Sequence, residues 1–165
     1  MRPPARRASL PRTVGASGAK PPAIFSLPVR VYYQDTDAGG VMFHANYLHF
    51  FERARTEWLR ELGFDVRGLA ESHDLLFIVR ELHVNFLQPA VVDDLLTATA
   101  VIDNLGRAQF TLGQCVLRGG ELLVHGSVNL ACVTAHGLRP VRLPPDVHAM
   151  LERNAGRAVT QEEEA

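Results

Sequence analysis

Residues 32–63 read YYQDTDAGGVMFHANYLHFFERARTEWLRELG, and their pattern decides the fold. A strand end gives way to an acidic, glycine-rich loop and then to one long helix. Projected at 3.6 residues per turn, Tyr47, Leu48, Phe50, Phe51, Ala54, Trp58, Leu59 and Leu62 cover about half the helix circumference. Glu52, Arg53, Thr56, Glu57 and Arg60 fill the remainder. So broad an apolar face suits a helix laid across a sheet. Asn46 is the expected N-cap and Gly63 the expected C′ stop. Asp35, Asp37 and His44 crowd the helix start, where unpaired N–H groups and the positive end of the helix dipole lie. Arg55 falls inside the apolar sector, so a carboxylate partner is expected for it, with bracing of the acidic loop as its expected role.

Working outward, residues 28–34 read as a first strand. Residues 65–72 read as a short helix or turn. Residues 75–87 form a long strand with Leu76, Ile78, Leu82, Val84 and Phe86 on one face, ended by Gln88-Pro89. Strands at 95–103, 108–117 and 121–133 follow, with turns at Asn104-Leu105-Gly106 and Gly119-Gly120. A short helix at 144–153 closes the domain. Consecutive strands joined by tight turns are antiparallel, so the predicted class is α+β: one long antiparallel sheet curling around one apolar helix. Three segments are expected: a basic, Pro/Ala/Arg-rich leader over 1–26 without an acidic residue, a folded domain over 27–153, and an acidic flexible tail over 154–165.

Composition narrows the function. The 165 residues carry 17 Lys+Arg against 18 Asp+Glu, so no strong charge points to nucleic acid. No apolar run approaches the ~18–20 residues of a membrane span, and the leader lacks the apolar core of a secretory signal. Cys115 and Cys132 fall within strands and read as small buried hydrophobes of a reducing compartment. The seven histidines show no metal-ligand spacing, and no metal or cofactor is expected. There is no GxSxG, phosphate loop or dinucleotide fingerprint. In the loop, Asp37 before Ala-Gly-Gly reads either as a turn former or as a carboxylate for chemistry. The glycines allow a ligand close to the backbone, and the helix N–H groups can hold an oxyanion. Carboxylate and oxyanion site together suffice for acyl transfer. His44 reads equally as a packing residue or a participant, and Asp35 as structural.

The stretch VRVYYQDTDAGGVMFHANYLHFFERARTEWL, followed by NFLQPAVVDDLLTATAVI with its PA-x-x-x-D-x-L pattern, resembles the 4-hydroxybenzoyl-CoA thioesterase family of hotdog-fold proteins. Within it, the branch most resembled is the acyl-CoA thioesterases associated with the bacterial Tol–Pal envelope system. The resemblance implies a five-stranded antiparallel sheet wrapped on one long helix, in homodimers or homotetramers with sites at subunit interfaces. It implies Asp37 as catalytic carboxylate, and His44 as an oxyanion donor through its N–H with a ring able to position the thioester or water. Phe77, Ile78 and Val79 would line the acyl pocket, and Arg107, Arg139 and Arg142 would meet coenzyme A phosphates. His at position 44, where the aromatic-CoA branch has Tyr, favours a fatty acyl-CoA. The expected protein is a cytoplasmic acyl-CoA thioesterase. The alternatives are an acyl carrier protein as thioester donor, a hydratase, or a non-catalytic acyl-CoA-binding scaffold of the envelope machinery, with peripheral membrane association as a further expectation.

Overall fold

The computed structural model describes residues 24–155. Residues 1–23 and 156–165, which hold most of the expected leader and tail, lie outside that range. Five strands, β1 (Phe25–Arg30), β2 (Leu75–Phe86), β3 (Leu95–Leu105), β4 (Gln109–Arg118) and β5 (Glu121–Thr134), form one antiparallel sheet. The helices are α1 (His44–Glu61), α2 (Val66–His73) and α3 (Pro145–Asn154). This is the hotdog arrangement, with α1 as the long helix held in the curl of the sheet.

The strand order is β1-β3-β4-β5-β2. The β4–β5 hairpin turns at Gly119 and Gly120, both at positive φ as a tight two-residue hairpin requires. The long-range pairings were not written in local turns. β1 pairs with β3 through Val29↔Leu96, and β2 pairs with β5, not with its sequence neighbour β3. As a result β2 is an edge strand with one side of its backbone unpaired.

Three sequence expectations shift. The first strand spans Phe25–Arg30, so it takes two residues from the expected leader and ends before the tyrosines; Tyr33–Asp35 is a single 3-10 turn. Its end is set where β3 begins: Arg30 pairs with Leu95, and the Val31 N–H donates to the Asp94 carbonyl at 3.0 Å. The long helix starts at His44 rather than after Asn46. Asn46 is drawn off by another acceptor, its Nδ2 donating to the Asp35 carbonyl at 2.9 Å. At the other end Gly63 takes the expected positive φ.

The third shift is in β2. Val79 pairs with Leu130 and Glu81 with Asn129, leaving Arg80 as an extra bulged residue. A bulge of one residue exchanges the two faces beyond it. The inward positions, opposite buried Cys132, Leu130 and Val128 of β5, are therefore Phe77 and Val79 before the bulge and Leu82 after it. Leu76 and Ile78 do not share a face with Leu82, Val84 and Phe86. A similar irregularity near Leu117 lets both Leu123 and Val124 be buried.

Between sheet and helix, Phe50, Phe51, Ala54 and Trp58 meet Leu96, Ala98, Phe110 and Leu112, all nearly inaccessible. Small residues let α1 approach the sheet. At Gly126 an added Cβ would lie 2.4 Å from the His83 carbonyl oxygen and 3.1 Å from the Phe51 ring. Gln114 is the single buried polar side chain among the described residues. Its Nε2 donates to the carbonyls of Phe51 (3.0 Å) and Thr99 (3.2 Å), tying helix to sheet. Cys115 and Cys132 are free thiols on β4 and β5, and burial pushes Cys132 up to about 12. Gly126→Ala is expected to destabilise the domain by about 1–3 kcal/mol through overpacking, read as a lower denaturant midpoint with unchanged slope.

Candidate active site

The acidic loop is a miniature hairpin. Thr36 bridges Met42, the Asp37 N–H donates to the Val41 carbonyl at 2.9 Å, and Gly40, at φ +77°, turns the chain. The Asp37 carboxylate folds back so that Oδ1 accepts the Gly39 N–H at 2.7 Å. Gly39 eases this fit, because an added Cβ would lie 3.0 Å from that oxygen and the carboxylate would have to shift slightly. Asp37 is thus a turn former as well as an exposed carboxylate. Its other oxygen has no hydrogen-bond partner among the described residues. Asp35 is structural, as its position suggested: Oδ2 accepts the Tyr32 N–H at 2.8 Å and its carbonyl accepts the Phe43 N–H at 2.8 Å.

The loop delivers the chain into α1 without a side-chain cap: Phe43 occupies the N-cap and no side chain bonds there. The Asn46 N–H turns back to the Phe43 carbonyl at 2.9 Å. The N–H groups of His44 and Ala45 therefore have no protein acceptor among the described residues, and they point out of the positive end of an 18-residue helix. The His44 ring is exposed and sits edge-on to Phe43 (4.5 Å) and Phe86 (6.3 Å). Asp37 and His44 share the same corner but no hydrogen bond links them.

This corner is braced from below by a residue that the sequence reading left out. Ala90, fully buried, follows the Gln88-Pro89 stop of β2. Its carbonyl accepts the Met42 N–H at 2.8 Å, and its own N–H donates to the Tyr47 hydroxyl at 3.0 Å. Burial raises the Tyr47 phenol above its usual range. The PA-x-x-x-D stretch is thus the floor of the site, with Asp94 accepting from the Val91 N–H (3.0 Å) and from Arg118 (2.8 Å).

The expected acyl-pocket residues divide. Phe77 and Val79 line a cavity of about 230 Å³ beneath α1 and α2, whereas Ile78, 39% exposed, lies on the opposite face of β2. The three arginines are exposed. Arg107 stands between β3 and β4, its carbonyl accepting the Leu143 N–H at 2.8 Å, beside Arg142. Arg139 lies in the connection from β5 to α3. That is the end of the sheet where α1 finishes, and an 18-residue helix spans about 27 Å. Within one chain these arginines and His44 are therefore at opposite ends. Arg55 does not meet a carboxylate or the acidic loop. Its Nη1 donates to Gln114 Oε1 at 2.9 Å, because the residue facing it across the core is the amide already anchored on two backbone carbonyls. Burial lowers the Arg55 guanidinium from its ordinary range, and the Glu52 charge partly offsets this.

With this geometry in view, comparison with known proteins is specific. Residues 39–125 match the Thioesterase superfamily, more than half of the chain. The acyl-CoA thioesterase YbgC of Haemophilus influenzae is 45% identical over 125 residues, covering 76% of this chain and 92% of that protein. The acyl-CoA thioester hydrolase YbgC of Escherichia coli O157:H7 is 38% identical over 127 residues, covering 76% and 94%. Among solved structures, a probable thioesterase from Bartonella henselae superposes with a TM-score of 0.71 at 42% identity, covering 74% of this chain and all of that one. The family match begins at Gly39, two residues after Asp37, and contains α1, β2 and the Ala90 floor; on these grounds the chain belongs to the thioesterase superfamily.

Proposed function

We propose that this protein hydrolyses the thioester of an acyl-CoA to a free carboxylic acid and coenzyme A. The observation that carries the reading is the uncapped start of α1 beside an oriented, exposed carboxylate: donors for an oxyanion and a group able to attack or activate water in one corner. The N–H groups of His44 and Ala45 would receive the carbonyl oxygen as it gains charge, with the His44 ring positioning the thioester or water. Asp37 acts by one of two routes. As a nucleophile it bonds to the carbonyl carbon, the C–S bond breaks, coenzyme A leaves as thiolate, and water then hydrolyses the mixed anhydride. As a general base it takes a proton from water, whose oxygen attacks instead. The high identity to YbgC proteins over nearly their whole length supports acyl-CoA as the substrate class.

Within the same proposal the working unit is a homodimer, or a pair of dimers, joined through β2. The outer edge of this 12-residue strand is unpaired within the chain, and Ile78 (39%), Val79 (50%), Leu82 (37%) and Phe86 (50%) are exposed along it. A long unpaired edge invites another strand, and this one exposes these four apolar side chains among Arg80, Glu81, His83 and Asn85. Antiparallel pairing of two β2 edges would set the arginine-bearing end of one copy alongside the helix start of the other, so that Arg107, Arg139 and Arg142 could reach coenzyme A phosphates only across the subunit boundary. No helix among the described residues is long and apolar enough to cross a membrane. We place the protein in the cytoplasm, serving the Tol–Pal envelope system, on its resemblance to that branch.

Two results are expected. Asp37→Asn should lower kcat at least ~10²-fold on an acyl-CoA panel followed by free-thiol release, with the oligomer intact; near-normal turnover would remove Asp37 from the chemistry. Leu82→Lys, which sets a charge on the edge strand, should give a monomer by light scattering and lose turnover with it. A fully active monomer would overturn the interfacial site.

A further inference from the structure

The cavity under α1 has a composition that a plain hydrocarbon chain does not use. Trp58, Leu69, Leu75, Phe77, Phe110 and Leu130 give it apolar walls, but Glu52, Arg55 and Thr56 stand on its helix side. Arg55 is held there rather than merely present. Gln114 is locked by two backbone carbonyls, so its amide oxygen can face only one way, and that oxygen takes one guanidinium N–H. Among the described residues no carboxylate comes within ion-pair distance of Arg55, and its remaining N–H groups have no acceptor. Glu52 is engaged by the Thr56 hydroxyl at 2.8 Å. Apolar walls therefore end against a fixed, partly desolvated donor, with a carboxylate acceptor nearby.

The cavity is lined by no residue of the proposed reaction centre, but α1 and β2 run from one to the other. α1 packs chiefly on β3, β1 and β4, which leaves the inward side chains of β2 open along the helix flank. That flank runs from Phe86, beside His44, to Val79 and Phe77 at the cavity. His44 and Arg55 are eleven residues apart on one helix, about 16 Å along its axis. A thioester carbonyl at His44 would place the far end of an extended acyl chain at Arg55.

We propose that Arg55 is a specificity-determining residue, and that the cavity takes acyl chains ending in a neutral oxygen function, a hydroxyl foremost, distant from the thioester. The hydroxyl oxygen accepts from Arg55 and its hydrogen is directed toward Glu52. A methyl end strips water from the guanidinium and returns no hydrogen bond. A carboxylate end gains Arg55 but meets the Glu52 charge. The inference rests on the thioesterase reading and refines its substrate class.

The test compares kcat/KM for ω-hydroxyacyl-CoA, ω-carboxyacyl-CoA and plain acyl-CoA of matched length, over short, medium and long chains. Wild type, Arg55→Met and Arg55→Lys are assayed together. Wild type should favour the ω-hydroxy substrate at the length that spans the groove, and Arg55→Met should reduce that ratio at least ~10-fold, since a site built to hydrogen-bond a hydroxyl rejects analogues lacking it. Arg55→Lys should retain much of the preference. If Arg55→Met does not fold, Arg55→Gln, which can still bond Gln114, carries the comparison. Hydrolysis that favours methyl-ended chains at every length, or a loss in Arg55→Met equal for all chain ends, overturns this inference and leaves the thioesterase reading standing. No thiol release from any thioester overturns both.

Discussion

The two hydrogen bonds made by the backbone of Ala90 hold the candidate site together. One fixes Met42 at the end of the acidic hairpin and the other fixes Tyr47 in the first turn of α1. Between those anchors lie only Phe43 to Asn46, so the loop and the helix start are both tied to the segment that follows β2. A helix N-terminus can stabilise developing charge only if its N–H groups are already aimed, because reorientation during the reaction would cost what the donors return. On the proposed reading Ala90 would supply that aim through its backbone, from a fully buried position. Both of its polar groups are satisfied, which is the condition for burying a backbone segment at all.

The second constraint is the fit of α1 to the sheet. Phe51 occupies the space left by Gly126, and its carbonyl is claimed by Gln114, so one helical turn is fixed by shape and by a polar contact together. A buried amide that is fully bonded specifies register in a way that apolar packing alone does not. The same amide orients Arg55. Gln114 thus bears on both helix placement and the polar side of the cavity.

Local features of this fold were legible in the sequence. The apolar half of α1, the stop at Gly63 and the hairpin at Gly119-Gly120 follow from periodicity and from positive φ, properties of short segments. What depends on partners far away in sequence was not. The side-chain faces of β2 depend on which β5 residue stands opposite Arg80, and alternation alone runs straight through the bulge. Asn46 has the chemistry of a cap, but an acceptor eleven residues earlier claims its amide. Arg55 was expected to find a carboxylate; its partner is a neutral glutamine on β4, identifiable only once the sheet is assembled. Of the candidate site, Asp37 and His44 stood out because acidic, glycine and helix-start signals converge on them. Ala90 could not, since its role is carried by its backbone.

On the proposed reading, exposure would leave one chain an incomplete catalyst. Asp37 and His44 both face solvent, and a charge interaction in water is several-fold weaker than the same interaction near a protein surface of effective dielectric about 20. Oxyanion stabilisation gains its strength where water is excluded. The described residues offer no lid over this corner; they offer the outer edge of β2, unpaired within the chain, whose end at Phe86 packs against the His44 ring. Covering that strand with a second copy would bury the edge and dry the corner in the same step. On the proposed reading oligomerisation would be part of the chemistry, because the strand edge open to a second copy is also the wall the proposed donors would need.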